Sequence, residues 1–157
     1  DPMSYLFGNL LLISRSDLWL VALLDTLVIV LALVFHNKFL AVCFDGEFTE
    51  LRGVRVQWYY LLLLCLTALT VVLLVRIVGI VMVIALLTLP AAVAGFFSRT
   101  LWQMMALASV VCMVFVASGL GVSYARDLPS GAVIIVLAGT VYLAAAIASR
   151  LRRWYIT

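Results

Sequence analysis

Five stretches of this chain, residues 18–35, 58–75, 77–97, 101–122 and 132–149, are aliphatic runs of bilayer-crossing length, and that pattern removes most folds from consideration. A hydrocarbon core about 30 Å thick takes about 20 apolar residues of helix to cross. Lipid offers no hydrogen bonds to an open backbone, so each run has to satisfy its own amides, as a helix does. A membrane-spanning barrel would instead alternate apolar and polar side chains over about ten positions, and stretches such as 61–75 do not. Composition agrees, with 68% of the 157 residues hydrophobic, 11% charged and a mean hydropathy of +1.30. The expected fold is an all-α polytopic membrane protein, residues 1–157 forming a single transmembrane domain.

A net charge of +3 and a pI near 9.0 would suggest nucleic acid in a soluble domain. Here the basic residues gather at span ends, so they report topology, and no nucleic-acid partner is expected. Placing the C-terminal tail in the cytoplasm puts seven there, Lys38, Arg52, Arg55, Arg99, Arg150, Arg152 and Arg153. Arg15, Arg76 and Arg126 face the other side, two of them beside an acid at Asp17 and Asp127. A membrane crossed several times, with the C-terminus inside, is the expected location, and the resemblance set out below implies that it is the bacterial plasma (inner) membrane. Residues 1–17 then lie outside, and their apolar part, Tyr5 to Leu12, is too short to cross, which predicts an external short or re-entrant helix. No basic, apolar and small-residue order marks a signal peptide, and the start reads as internal.

Inside the spans, the pairs Ala91/Gly95, Ala117/Gly121 and Ala144/Ala148 have the four-residue spacing that allows close helix contact, predicting one packed bundle. Trp58, Tyr59, Tyr60, Trp102, Trp154 and Tyr155 sit at span ends, as interfacial anchors do. Pro90 removes a backbone donor and frees the Leu86 carbonyl, so a kink or break is expected there. Cys43, Cys65 and Cys112 are far apart and suggest neither a disulfide framework nor a thiolate site. Met104-Met105 and Cys112-Met113 read as flexible packing, and His36, the one histidine, as an interfacial residue. Asp25 is different: a carboxylate near mid-span costs roughly 2.5–3.5 kcal/mol to insert, which makes it a pathway or pairing residue by default.

The largest polar stretch, 36–57, contains a short helix by its punctuation. Asp45 can cap the first turn, Glu47 suits the positive helix start, Arg52 suits the last turn, and Gly53 can supply a left-handed stop. Phe44, Phe48 and Leu51 share one face and Glu47 and Glu50 another, so one face can rest on the membrane bundle and leave acidic and polar groups available to a second cytoplasmic protein. Two turns of helix are marginal alone.

Four ordered blocks then resemble the permease subunits of zinc, manganese and iron ABC importers. Ser4-Tyr5-Leu6-Phe7-Gly8-Asn9-Leu10-Leu11 is similar to the family's external helix beside the pathway. Phe44-Asp45 through Gly53-Val54 resembles its F-D-x-x-x-A-x-x-x-G-V coupling element, with Thr49 in the usual alanine position. Residues from Val78-Gly79 to Leu89-Pro90-Ala91-Ala92-Val93-Ala94 resemble its G-x-x-x-x-x-x-L-L-x-x-P-A-A-x-A span, and Ser123 with Leu128-Pro129-Ser130-Gly131-Ala132 its S-x-x-x-x-L-P-x-G-A block.

The resemblance implies the C-terminal part of a type II ABC importer-like helical bundle, with about five spans, a short external helix and a cytoplasmic coupling loop at 38–56. Members of the family have about eight spans, so further ones are expected before Asp1. The implied partners are a cytoplasmic ATP-binding subunit, a second permease subunit in a homo- or heterodimer, an extracytoplasmic metal-binding receptor and membrane lipid. ATP and magnesium belong to the partner, and the cargo is a divalent metal, Zn, Mn or Fe. The chain itself carries no phosphate loop or catalytic cluster, which makes it a non-catalytic subunit, and no metal ligands can be assigned. Phe44, Asp45, Glu47, Phe48, Thr49, Glu50, Leu51 and Gly53 are the implied ATPase-coupling residues. Tyr5, Phe7, Gly8, Asp25, Gly79, Pro90, Ser123, Pro129 and Gly131 are the candidate pathway or gate residues. The alternatives are a self-contained channel or secondary carrier, which would need its own coupling groups in place of an ATPase-docking helix, and a membrane scaffold.

Overall fold

The structure is a computed structural model, described for residues 13–155. Its elements are α1 (Arg15–Val34), α2 (His36–Phe44), α3 (Gly46–Leu51), α4 (Val56–Val78), α5 (Ile80–Phe97), α6 (Leu101–Arg126) and α7 (Ser130–Trp154). No strand occurs among the described residues. The five helices α1, α4, α5, α6 and α7 are each long and apolar enough to cross a membrane. They correspond one for one to the expected spans, with ends moved by a few residues. The largest differences are at α6 and α7, which continue into polar ends at Arg126 and Trp154 because a helix satisfies its own amides as well in headgroups as in hydrocarbon. Residues 15–17, assigned above to the external segment, form the first turn of α1. Residues 1–12 of that segment, with Tyr5, Phe7 and Gly8, lie outside the described residues.

Two compact units divide the chain. In the first, Ile13–Leu74, α1 has no buried residue, and the chain leaves helical geometry at Phe35 (φ −101°, ψ 15°) before α2 begins. Helix α2 was not foreseen, because His36, Asn37 and Lys38 read as loop. Its amphipathic remainder buries Phe39 and Val42. Lys38 Nζ donates to the Tyr59 hydroxyl at 2.6 Å and stands 4.8 Å from the centre of that ring, while Phe35 meets the same ring at 5.7 Å, so α2 is clipped to the start of α4.

In the second unit, from Val75 onward, α5, α6 and α7 pack on one another. Helix α5 buries Met82, Val83, Ala85, Pro90, Val93 and Ala94. Helix α6 contributes Phe115, Gly119 and Ser123, and α7 contributes Ser130, Gly131, Ile134 and Ala138. Helix α5 runs unbroken through Pro90, and the interruption falls instead at Gly79, whose φ of 87° is one that side chains other than glycine's rarely accept. Losing the single bond of a proline is tolerable inside a packed helix, whereas a true break in lipid strands several backbone groups at once.

Candidate functional site

The coupling element begins from Asp45, which leaves helical geometry (φ −154°, ψ 88°) between α2 and α3. Its Oδ1 accepts a hydrogen bond from the Phe48 amide at 3.1 Å, so the expected N-cap is in place. At the other end Gly53 has φ 80°, and its amide donates to the Glu50 carbonyl at 3.0 Å, giving the expected left-handed stop. Arg52 lies just past the last turn with its guanidinium 4.8 Å from the centre of the Phe48 ring.

What the sequence did not reveal is the part played by Thr49. It is buried, and its hydroxyl lies 2.7 Å from the Asp45 carbonyl and 3.2 Å from the Ala41 carbonyl. The Ala41 carbonyl also accepts the Asp45 amide at 3.0 Å, so one acceptor on α2 holds both the joint and the body of α3. Thr49 resembled a harmless replacement for alanine. It is the tie between the two short helices.

Phe44, Phe48 and Leu51, which by their spacing could rest on the bundle and which the resemblance put at an ATPase contact, are 77%, 53% and 86% exposed in this chain. The inward position is Thr49, because a six-residue helix tied to α2 by that hydroxyl cannot also turn its apolar stripe inward. Glu47 and Glu50 are exposed as well, so the element presents three large apolar side chains and two carboxylates together. Such a surface is matched by a groove with apolar pockets and basic rims on another protein. Beside it, Lys38, Gly53, Val54, Arg55, Trp58 and Tyr59 line a notch of about 360 Å³.

The candidate pathway residues fall in two settings. Asp25 is exposed near the middle of α1. Gly79, Pro90, Ser123, Pro129 and Gly131 belong to the three-helix unit. Gly79 and Pro90 are buried, the first at the α4–α5 joint and the second in α5. At the α6–α7 turn, Asp127 adopts the left-handed conformation (φ 50°, ψ 38°) and Pro129 precedes the first residue of α7. Ser123, 4% exposed, donates through Oγ to the Leu128 carbonyl at 2.5 Å, and its own carbonyl accepts the Leu128 amide at 3.2 Å. Ser123, Pro129 and Gly131 thus fall at one turn, closed by the two Ser123–Leu128 hydrogen bonds. A groove of about 670 Å³, lined by Arg126, Leu128, Pro129, Val133 and Val136 among others, runs beside it.

The small-residue stripe is also relocated. Ala117, Gly121, Ala144 and Ala148 are exposed, and a Cβ at Gly121 would meet nothing within 4 Å. The close approach is at Gly119, where a Cβ would come to 2.2 Å from Ile134 Cγ1 and 3.1 Å from Ile134 Cα. The packed series are Phe115/Gly119/Ser123 and Ser130/Ile134/Ala138, with the same four-residue spacing but, in α6, a register two residues from the expected one. Among the described residues, no three His, Cys, Asp or Glu side chains gather as a metal site.

Comparison with known proteins adds the following. Residues 1–149 match the model of the ABC 3 transport family. An uncharacterized membrane protein of Synechocystis is 48% identical over 143 residues, covering 91% of this chain and 51% of that protein. The manganese transport system membrane protein MntC of Listeria innocua is 36% identical over 145 residues, covering 92% of this chain and 52% of its own. Among solved structures, PsaBC from Streptococcus pneumoniae in complex with Fab superposes with a TM-score of 0.86 at 27% identity, covering 92% of this chain and 52% of the other. The chain spans about half the length of the curated relatives it matches.

Proposed function

The chain belongs to the ABC 3 transport family, and on that footing we propose that it forms the membrane pathway of an ATP-driven importer of a divalent metal ion, coupled through α3 to a cytoplasmic ATPase. Manganese is the first cargo to test, given what MntC of Listeria innocua is described as transporting; zinc and iron are the other two. A second permease subunit completes the pathway, and an extracytoplasmic receptor delivers the metal. The 36–57 stretch and the C-terminus face the cytoplasm, consistent with the seven-to-three split of basic residues.

The observation that carries the coupling role is the outward facing of Phe44, Phe48 and Leu51 beside Glu47 and Glu50 on a helix tied to its neighbour. A surface meant to transmit force needs both properties. Movement of a bound ATPase pulls on α3, and the Thr49 tie passes that movement to α2 with little slack. From α2 it reaches the start of α4 through the Lys38–Tyr59 bond and α1 through the bend at Phe35. The permease hydrolyses nothing in this scheme. Its work is to convert ATPase closure into helix displacement along the path that the metal follows.

The direct test is Glu47→Lys with Glu50→Lys in the full-length permease. Reversing both charges sets like against like at a basic rim, and ATP-driven manganese uptake is expected to fall about tenfold or more while the protein stays in the membrane. Uptake at the parental rate, with the ATPase still co-purifying, would sink the docking role of α3.

A further inference from the structure

The three-helix unit holds a feature that the proposed coupling role leaves unexplained. Between the last turns of α5 and α7 lies a cleft of about 570 Å³, with Phe96, Phe97 and Ala148 on its walls and Arg150, Arg152 and Arg153 also lining it. Phe96 meets the Tyr142 ring at 6.0 Å, joining the end of α5 to the middle of α7. Ala148, expected from its spacing to sit at a helix contact, is exposed and faces this space instead. From residue 75 to residue 155 the only carboxylate side chain is Asp127, which caps the opposite end of α6. Among the described residues no carboxylate side chain lines the cleft beside Arg150 and Arg152.

We infer that this cleft is a binding site for an anionic phospholipid, its acyl chain lying along Phe96, Phe97 and Ala148 and its phosphate meeting Arg150 and Arg152. The chemistry selects the occupant. A soluble phosphate compound would use the guanidinium groups but leave the apolar wall wet, and an uncharged lipid would cover the wall but bring no anion to Arg150 and Arg152. Only a molecule that joins a hydrocarbon chain to a phosphate fits both halves, and a cleft between two spans at the membrane surface is where such a molecule has direct access. The long arginine side chains can reach the headgroup level while their stems cover apolar surface. This inference rests on the membrane topology proposed above but not on the metal or the ATPase.

The test uses the full-length protein in neutral detergent, with dioleoyl-phosphatidylglycerol, dioleoyl-phosphatidylcholine and inorganic phosphate as separate probes, read by native mass spectrometry and by thermal shift. Retained phosphatidylglycerol with little phosphatidylcholine is expected. Arg150→Gln with Arg152→Gln should lower phosphatidylglycerol retention about tenfold. Ala148→Trp, which fills the apolar wall without touching the charge, should lower it as well, and Arg150→Lys with Arg152→Lys should keep most of it. Equal retention of both lipids, undiminished phosphatidylglycerol in the double glutamine variant, or protection by inorganic phosphate as strong as by the lipid would each overturn the assignment. Because no transport is measured, loss of metal uptake and loss of lipid binding are read separately.

Discussion

The two compact units solve the same problem, long apolar helices, in opposite ways. From Val75 onward the helices are held by shape: Ala94, Ile134 and Ala138 are fully buried, and Gly119 lets α6 approach α7 to backbone distance. In Ile13–Leu74 the long helices bury little, α1 nothing at all, and the short ones are joined by side-chain hydrogen bonds and ring contacts. In lipid, helix association gains nothing from excluding water, so it rests on close packing and on polar ties. One unit uses mainly the first and the other mainly the second. The proposed coupling role would use this division, a packed bundle keeping its shape while a tied pair of short helices moves as one piece.

The packed unit should therefore break on volume. Gly119→Val puts branched carbon where even a Cβ lies 2.2 Å from Ile134 Cγ1, and the obstruction is partly backbone, so it cannot be relieved by a rotamer change alone. A loss of about 1–3 kcal/mol or more is expected. It would be read as a lower midpoint of thermal unfolding in detergent and less full-length protein in the membrane. Ile134→Ala, itself destabilising, should return part of the loss when combined with Gly119→Ala, since it removes the 2.2 Å contact and leaves those at 3.1 Å. Simple addition of the two penalties would show that α6 and α7 are not locked at this point.

That distinction was only half visible in the amino-acid sequence. Five spans, their order and the cap-to-stop limits of α3 were legible, because hydrophobic length and the Asp45 and Gly53 signals are local properties of the chain. Which face of each element is covered was not. Gly119 and Gly121 are both glycines in apolar surroundings, and only the position of Ile134 on another helix decides which one is needed. Thr49 likewise read as a small residue, since its two acceptors become neighbours only once α2 has formed, and α2 was hidden by the polar start His36-Asn37-Lys38. At Pro90 the local signal offered a kink or a break, and the helix continues through it without a break. Of the candidate pathway residues, the cluster of Ser123, Pro129 and Gly131 was legible because a turn brings neighbours in sequence together.

The polar-tied unit should respond to chemistry where the bundle responds to volume. Thr49→Ala removes a hydroxyl and leaves no clash, so its expected cost is about 1 kcal/mol, and that cost is local. Amide hydrogen exchange across residues 45–51 should quicken while the main unfolding midpoint stays near the parental value. Coupling should weaken too, seen as more ATP hydrolysed per metal imported. Unchanged exchange in this segment would mean that Asp45 alone holds the joint, through its bond to the Phe48 amide.

The smallest effect sharpens the comparison most. Gly121→Ala stands two residues from Gly119 in the same helix, with nothing within 4 Å of the new methyl. Helix propensity alone then applies, and the substitution should be neutral or stabilising by up to about 1 kcal/mol. Gly119→Ala and Gly121→Ala are the same chemical change in the same helix and the same solvent, so any difference between them measures helix–helix approach and nothing else. Equal penalties at both positions would place a further helix against Gly121, and the exposed face of α6 would then be an interface. A penalty at Gly119 alone would leave that face to lipid.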